Sequence, residues 1–352
     1  MIKNIYSNLT IVLKIRDNFS MANRWLENSI SQSNKFKILI ADGSKKKFKI
    51  SNRFHKLLNI EYIKSPYDKD HLTYMRKLEF VIGKKVKTPY TLIADDDDFY
   101  IIARIEEYMR FLLQNKDYVG CGGNILKFEL IKNNSNKALF TNFRKSRQTN
   151  LSQKNKIQRI SLALDKNLYS EVYYDILKTK ILSKSITDFI KLNNKNVNYR
   201  FVEFYIMVNC LANGKLKRFD NYYLMRQEDY QSSTSAGIIN NTTSLFADNW
   251  SLNYLNLINY TISKFSLNKN KKIKKNILNM YENLFMYLIS TEIINSGLYN
   301  ISFKSMFKTK INKFFLYSTI VRLKKSISIY WTNLYFSKTL KLYKDIIGNN
   351  HN

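Results

Sequence analysis

Short apolar runs alternate with helix-like stretches along the first 120 residues of this chain, and this alternation is the strongest constraint on its fold. Four runs have the length and β-branched composition of buried strands, at residues 9–15, 37–41, 60–63 and 90–94. Apolar side chains recur between them at helical spacing, as at Leu72, Met75 and Leu78. We therefore predict an α/β fold with a Rossmann-like, mostly parallel, doubly wound sheet flanked by helices.

The pattern beyond residue 120 is more mixed. It predicts a strand at residues 125–131, a polar loop at 133–156, a helix at 202–213, and two short strands at 216–219 and 222–226. From about residue 245 onward the chain is basic, aromatic and helix-like. We expect this last part to form a separate helical region.

The charge of the chain is strongly positive, with 58 Lys and Arg against 27 Asp and Glu in 352 residues, a formal +31. Such a charge favours a polyanionic partner, either nucleic acid or an anionic membrane. Lys, Asn, Ile, Tyr and Phe are abundant throughout, as in proteins from AT-rich genomes, and we assign much of the excess to this bias. Nucleic-acid binding or a metal-dependent nuclease stays an alternative, because residues 303–317 and 330–343 interleave aromatic residues with Lys.

Cysteine usage and apolar runs indicate the compartment. Cys121 and Cys210 are the only cysteines and lie 89 positions apart (210 − 121), which fits neither a metal site nor a disulfide framework. The N-terminus has no continuous apolar segment of a signal peptide, and no apolar run approaches the roughly 20 residues that span a bilayer. We therefore expect a cytoplasmic protein.

Four successive aspartates, residues 95–98, follow the apolar run at 90–94 directly. Like charges this close repel one another and are costly to hold together, so we expect the cluster to bind a cation. If the strand stays extended, Asp95 and Asp97 share one face while Asp96 and Asp98 take the other. Carboxylates at the carboxyl end of a parallel strand suit a hard divalent cation such as Mn²⁺ or Mg²⁺. The alternative is a solvated acidic loop.

Other polar residues also follow predicted strands. Asp42 ends the second strand, where its carboxylate could accept hydrogen bonds from a nucleobase or ribose, although Asp-Gly-Ser is also an ordinary turn. Arg16 and Asp17 follow the first strand, and Arg76 and Lys77 lie on the helix before the fourth. These four are further candidates for a binding site, with an ordinary surface charge as the alternative for each.

The order of these features resembles the nucleotide-sugar-binding half of family-two glycosyltransferases with the A-type fold, whose Asp-x-Asp motif is matched at residues 95–98. The resemblance is good over residues 8–125, weaker to about 230 and absent beyond. It implies that Asp42 contacts the base, that Asp95 and Asp96 contact the nucleotide sugar, and that Asp97 and Asp98 hold the metal. It further implies a basic contact near the diphosphate, for which Arg226 is the candidate; Arg16 and Arg76 complete our set of expected donor contacts.

Inverting members of this family use a downstream carboxylate as general base at the start of a helix. The nearest match is Glu203, at the start of the helix predicted at 202–213, with Asp188, Glu228 and Asp229 as fallback bases. An acidic residue in the first turn is also stabilised by the helix dipole, so a structural role for Glu203 is the alternative.

The resemblance implies a metal-dependent, inverting glycosyltransferase. It would move a sugar from a nucleotide-diphosphate donor to a hydroxyl of a bacterial cell-surface glycan, such as lipopolysaccharide, lipooligosaccharide or capsule, with a saccharide or lipid-linked saccharide as acceptor. The implied domains are a catalytic domain at 1–240, with its donor half at 8–125 and acceptor half at 126–240, and a helical region at 241–352. Nucleic acid is not an expected partner of such an enzyme.

The C-terminal region mixes basic and apolar residues in a way that suits an anionic membrane surface. The residues concerned are Lys308, Lys310, Lys313, Arg322, Lys324 and Lys325, beside Phe307, Phe314, Phe315, Leu323 and Ile327. An ordinary packing domain with a solvated basic face is the alternative. The membrane interpretation predicts a peripheral protein on the inner face of the cytoplasmic membrane.

Overall fold

The computed structural model describes residues 4–131, 134–142, 149–165, 172–193, 198, 200–227 and 248–295. Several features singled out in the sequence lie outside these residues. They are the fallback bases Glu228 and Asp229, the basic and apolar residues at 307–327 and the aromatic segments at 303–317 and 330–343.

One mixed sheet contains all nine strands of the described chain. The strands are β1 (Leu9–Ile15), β2 (Lys37–Asp42), β3 (Ile60–Lys64), β4 (Tyr90–Asp95), β5 (Phe99–Tyr100), β6 (Tyr118–Ile131), β7 (Asn134–Asn142), β8 (Ile176–Lys178) and β9 (Lys215–Gln227). Their spatial order is β3-β2-β1-β4-β8-β6-β9-β5, with β7 paired to β6.

Helices connect and cover these strands. They are α1 (Phe19–Ser31), α2 (Asn52–Leu57), α3 (His71–Phe80), α4 (Ile102–Gln114), α5 (Lys156–Ala163), α6 (Thr179–Asn193), α7 (Arg200–Asn213), α8 (Asp248–Phe265) and α9 (Lys271–Asn295). A π-helical turn, Val81–Lys85, continues α3. Apolar stripes pack the helices onto the sheet, as Trp25 and Leu26 do in α1.

Strands β1 to β4 form the parallel half of the sheet. β2 and β3 lie on one side of β1, and β4 pairs with its other side. The strand order therefore reverses between β1 and β4. In open α/β sheets the crevice outside the carboxyl ends of the strands at such a point is where ligands bind. Arg16 and Asp95 lie at this edge, at the ends of β1 and β4.

The second half of the sheet is built by pairing over long sequence separations. β8 runs antiparallel between β4 and β6, while β9 is parallel to β6 and carries the short β5 at its outer side. β8 lies close to β6 at Gly120. A Cβ added there would lie only 2.7 Å from the carbonyl oxygen of Ile176. The pairing of Phe99 with Met225 brings the end of β9 beside the residues that follow β4.

The predicted fold class is confirmed: a mostly parallel sheet flanked by helices, with a helical C-terminal part. Two expectations for the second half are wrong. Residues 134–142 form β7 rather than a loop, because they pair with β6. Lys215–Gln227 is one strand rather than two short ones, because it pairs with β6 across the bulges in their register.

Helices α8 and α9 pack against α7 and share its hydrophobic core. Leu257 and Tyr281 belong to the same buried cluster as the strands of the parallel half. The ring of Phe285 in α9 stacks on that of Phe201 in α7, with 5.6 Å between centroids. A domain boundary near residue 240 stays a prediction. Within the described residues, no helix combines the length and apolar character that a membrane span needs.

Candidate functional site

The acidic cluster occupies the carboxyl end of β4. One oxygen from each of Asp95, Asp97 and Asp98 lies within 4.8 Å of the others, the only group of this kind among the described residues. The alternation of faces along residues 95–98 that an extended strand would give does not apply, because the strand ends at Asp95 and the chain turns. The amide of Asp98 donates to the carbonyl oxygen of Asp95 at 3.4 Å. This turn brings the third carboxylate to the other two.

Asp98 is buried, with only 1% of the residue exposed. Its Oδ1 accepts a hydrogen bond from the backbone amide of Gln227 at 3.2 Å. Its Oδ2 is also buried and has no hydrogen-bond partner in the part of the chain that the structure describes. Burial raises the pKa of Asp98 well above its usual value, opposed by the positive charge of Arg226 and reinforced by the neighbouring carboxylates. A buried acceptor without a donor suits a cation ligand.

Asp95 has two partners from its own chain. It forms an ion pair with Lys14 of β1, and its Oδ2 accepts a hydrogen bond from the hydroxyl of Tyr174 at 2.8 Å. Burial opposes the charge of Asp95, but the Lys14 charge and hydrogen bond outweigh it and lower the pKa of the carboxyl. Asp95 is therefore held as a carboxylate in this structure.

Asp96 and Asp97 are the partly exposed residues of the turn. Burial and the charge of Asp95 raise the pKa of Asp97 to about 6. Burial, followed by the charges of Asp97 and Asp95, raises the pKa of Asp96 well above its usual value. Asp96 lies outside the group of three converging carboxylates. The structure therefore separates Asp96 from the residues best placed to share one cation.

Arg226 reaches the cluster from β9. Its guanidinium lies over the ring of Tyr174, 4.9 Å from the centroid. Its positive charge acts to lower the pKa of Asp95, Asp97 and Asp98. The structure thus brings this predicted phosphate contact to the acidic cluster, although the two are more than a hundred residues apart in sequence.

Asp42 ends β2 and is fully buried. Its carboxylate accepts hydrogen bonds from the amides of Ser44 at 2.8 Å and Phe48 at 3.1 Å, and from the hydroxyl of Tyr62. Burial opposes its charge, but these hydrogen bonds lower its pKa. In this structure Asp42 holds the loop at 43–48 against the sheet, and its contact with a base stays a prediction.

Arg16 lies beside this loop, exposed after β1. Its guanidinium lies 5.4 Å from the ring centroid of Tyr67 and donates to the hydroxyl of that residue at 3.3 Å. The ammonium of Lys45 lies 5.2 Å from the same centroid. Asp17 adopts a left-handed conformation with φ of 56°, and its carboxylate accepts a hydrogen bond from the backbone amide of Lys45 at 2.8 Å. These contacts join the loops after β1 and β2 into one basic edge.

Arg76 and its neighbour Lys77 differ in burial. Arg76 is exposed on α3, whereas Lys77 is buried and forms an ion pair with Asp68. Burial raises the pKa of Asp68 and lowers that of Lys77. A Cβ at Gly43 would collide with the Asp68 carboxylate, so a larger residue there would displace the Asp68 side chain. The donor contact predicted for Arg76 stays a prediction.

Glu203 lies in the first turn of α7 and is partly exposed. Its neighbours Phe201 and Phe204 are buried and lie against Phe285 of α9. Glu203 is not one of the carboxylates that converge within 4.8 Å. Its position at a helix start agrees with the sequence prediction, and its role as a base stays a prediction.

Lys14, Tyr174 and Gln227 were not predicted from the sequence as site residues. Lys14 is the one charged residue in a mostly apolar strand, and this interruption is the signal that could have identified it. Tyr174 and Gln227 lie 79 and 129 residues from their partners in the cluster and give no local signal.

The residues present fit a divalent cation. Three carboxylates converge, their oxygens are the ligands that Mg²⁺ and Mn²⁺ prefer, and Asp98 Oδ2 has no donor among the described residues. Asp97 and Asp98 are available for such an ion, whereas Asp95 already has Lys14 as a counter-charge.

No protein-family model matches the sequence, and no curated protein matches it. Among solved structures, the chain is similar to S. aureus TarS 1-349, with a TM-score of 0.50 and 12% identity, over 86% of this chain and 75% of that chain. A second structure of S. aureus TarS matches 86% of this chain and 46% of its own, with a TM-score of 0.45 and 12% identity. At this identity the likeness to TarS 1-349 is one of fold.

Proposed function

We propose that this chain is a metal-dependent glycosyltransferase that uses a nucleoside-diphosphate sugar as donor. One observation carries the proposal: Asp95, Asp97 and Asp98 converge at the crevice where the strand order reverses, and the buried Asp98 Oδ2 accepts no hydrogen bond from the described residues. The fold supports it, because the chain is similar to TarS 1-349, and TarS is a glycosyltransferase.

Asp97 and Asp98 are the proposed ligands of Mn²⁺ or Mg²⁺. When bound, such an ion neutralises negative charge on a diphosphate leaving group. Arg226 adds a positive charge beside the same carboxylates, and Arg16 adds one at the end of β1. Asp95 and Asp96 are the proposed contacts to the nucleotide sugar, and the loop that Asp42 holds is the proposed wall of the base pocket.

Glu203 is the proposed general base. It takes the proton from an acceptor hydroxyl while the oxygen forms a bond to the anomeric carbon, and the carbon–oxygen bond to the diphosphate breaks on the opposite face. The anomeric configuration is inverted, and the nucleoside diphosphate leaves with the bonding electrons. The proposed acceptor is a bacterial cell-surface glycan or a lipid-linked precursor of one, met at the inner face of the cytoplasmic membrane.

Replacing the base tests this role. Glu203→Gln should lower kcat for transfer by about 10²–10⁴-fold, the usual contribution of a general base, and leave the affinity for nucleotide unchanged. Glu282→Gln, an exposed acid on α9, is the matched control and should retain full activity. Full activity of Glu203→Gln would remove Glu203 from the mechanism.

A thermal-shift screen tests the donor site. The purified chain is heated with Mn²⁺ or Mg²⁺ and UDP, GDP or CDP, beside Asp97→Asn/Asp98→Asn and the control Asp117→Asn, whose exposed carboxylate pairs with Lys215. A ligand at a hundred times its dissociation constant adds about 2.7 kcal/mol of stability. We expect a metal-dependent shift with one nucleotide, lost only in the double variant. If short oligonucleotides shift the protein and no nucleotide does, the proposal fails and nucleic-acid binding replaces it.

A further inference from the structure

Lys14 is a basic residue in the middle of the proposed donor site. In the register of the sheet it lies directly opposite Asp95, so the two side chains leave neighbouring strands together. The Lys14 ammonium forms an ion pair with Asp95, and only 15% of the Lys14 side chain is exposed. A lysine is seldom buried unless it is paired, so this position is built around the Asp95 carboxylate.

Aromatic rings complete the surroundings of this ammonium. It lies 5.3 Å from the ring centroid of Tyr74 and 5.1 Å from that of Tyr173. The hydroxyls of these two tyrosines are hydrogen bonded to each other at 2.8 Å. Ring faces attract cations, most strongly when water is excluded. The two rings therefore hold the charge of Lys14 at the carboxylate.

Both carboxylate oxygens of Asp95 have a partner. Lys14 pairs with Oδ1, and the Tyr174 hydroxyl donates to Oδ2. A divalent cation at Asp97 and Asp98 therefore has to bind beside the like charge of the ammonium, and it lacks the third carboxylate, which is paired with Lys14. Asp97 and Asp98 have no such ion pair in the part of the chain described.

We propose that Lys14 is a built-in counter-ion that occupies Asp95 and repels the divalent cation at Asp97 and Asp98, so that the cation binds tightly only together with a nucleoside diphosphate. The inference rests on the proposed donor site. The diphosphate brings negative charge that offsets the repulsion between ammonium and cation. By thermodynamic linkage, Mn²⁺ and the nucleotide then raise each other's affinity by the same factor.

Mn²⁺ binding tests the proposal without any assay of transfer. Electron paramagnetic resonance measures the Kd of Mn²⁺ alone, and then with the nucleoside diphosphate that the thermal-shift screen selects, in the wild type, Lys14→Met, Lys14→Gln and Lys14→Arg. The control is Lys37→Met, because Lys37 pairs with Glu61 at the opposite end of the parallel strands, at 2.6 Å. Circular dichroism and Tm confirm folding, and Lys14→Gln replaces Lys14→Met if the latter does not fold.

Without nucleotide, we expect Mn²⁺ to bind the two neutral variants at least tenfold more tightly than the wild type, with Lys14→Arg and Lys37→Met unchanged. The factor by which nucleotide tightens Mn²⁺ binding should fall in the same two variants. If neutral variants bind Mn²⁺ no more tightly while the wild type still binds Mn²⁺ with nucleotide, the counter-ion role is overturned and the donor site stands. If no variant and no wild-type protein binds either ligand, the proposed function fails and takes the inference with it.

Discussion

Two buried ion pairs lie in the same sheet, and they differ in what surrounds them. Lys14 and Asp95 join β1 to β4, with 15% and 21% of their side chains exposed. Arg218 of β9 pairs with Asp175, which precedes β8, with 3% and 1% exposed. The first pair opens onto the crevice at the carboxyl ends of the strands, and the second is enclosed by the sheet.

The groups that surround the two ion pairs also differ. Asp95 converges with two further carboxyl groups, so three acidic side chains face two basic ones, Lys14 and Arg226. Asp175 lies against Gly122, where any Cβ would collide with its carboxylate, and its Oδ1 lies 3.5 Å from the hydroxyl of Tyr223. An enclosed pair stabilises one arrangement of the chain, whereas a pair with excess charge at a crevice is suited to exchange partners with a ligand.

Removing one member of each pair should separate the two roles most clearly. Arg218→Met leaves the Asp175 charge buried and should cost about 3–5 kcal/mol in the free energy of unfolding. Lys14→Met should cost less, about 1–3 kcal/mol, because Asp95 is more exposed and keeps its hydrogen bond from Tyr174. Urea denaturation of both variants measures the difference. An equal cost, or a larger one for Lys14→Met, would contradict the distinction.

Steric substitution beside the enclosed pair is expected to have a smaller effect. Gly122→Ala places a methyl group against Asp175 and Arg218, and overpacking of this kind costs about 1–3 kcal/mol. Gly83→Ala is the matched control, because its Cβ would meet only the Ser183 hydroxyl, at 3.1 Å. Thermal denaturation compares the two. A Gly122→Ala protein as stable as Gly83→Ala would show that the pair is not tightly enclosed.

The pH dependence of stability should give the smallest of the three effects on the free energy of unfolding. Asp97 has a pKa of about 6, above its value in the unfolded chain, because of burial and the charge of Asp95. Between about pH 4 and pH 6 the folded state therefore binds a proton that the unfolded state releases, and stability rises as the pH falls.

In a chelating buffer the wild type should gain roughly 1–2 kcal/mol from pH 7 to pH 5 relative to Asp97→Asn. Asp97→Asn also removes the charge that helps to raise the pKa of Asp96 and Asp98, so the comparison measures Asp97 together with its coupling to these two carboxyls. Urea denaturation at several pH values measures it. Parallel stability curves for the two proteins would contradict the raised pKa.

Local sequence predicted the parallel half of the molecule well. The runs at 9–15, 37–41 and 90–94 became β1, β2 and β4, because the length and β-branched composition of each run already indicate a buried strand. The acidic cluster was predicted for the same reason, since it follows β4 directly. The convergence of its carboxylates was not predicted, because the chain turns after Asp95 instead of continuing as an extended strand.

The second half and the inner contacts of the site depend on distant residues. Tyr174 reaches Asp95 across 79 residues, and Gln227 reaches Asp98 across 129. Residues 134–142 are polar in sequence yet form β7, since pairing with β6 decides their structure. Contacts of this kind arise only after the sheet is assembled, so neither periodicity nor composition indicates them.

Anomalous diffraction from crystals grown with Mn²⁺ and a nucleoside diphosphate would locate the ion itself. We predict one strong anomalous peak within about 2.0–2.5 Å of carboxylate oxygens of Asp97 and Asp98, with the diphosphate beside it and the nucleotide at the ends of β1 and β2. The same crystals of Asp97→Asn/Asp98→Asn should lack the peak. A peak at another site, or a nucleotide bound away from the crevice between β1 and β4, would contradict the proposed donor site.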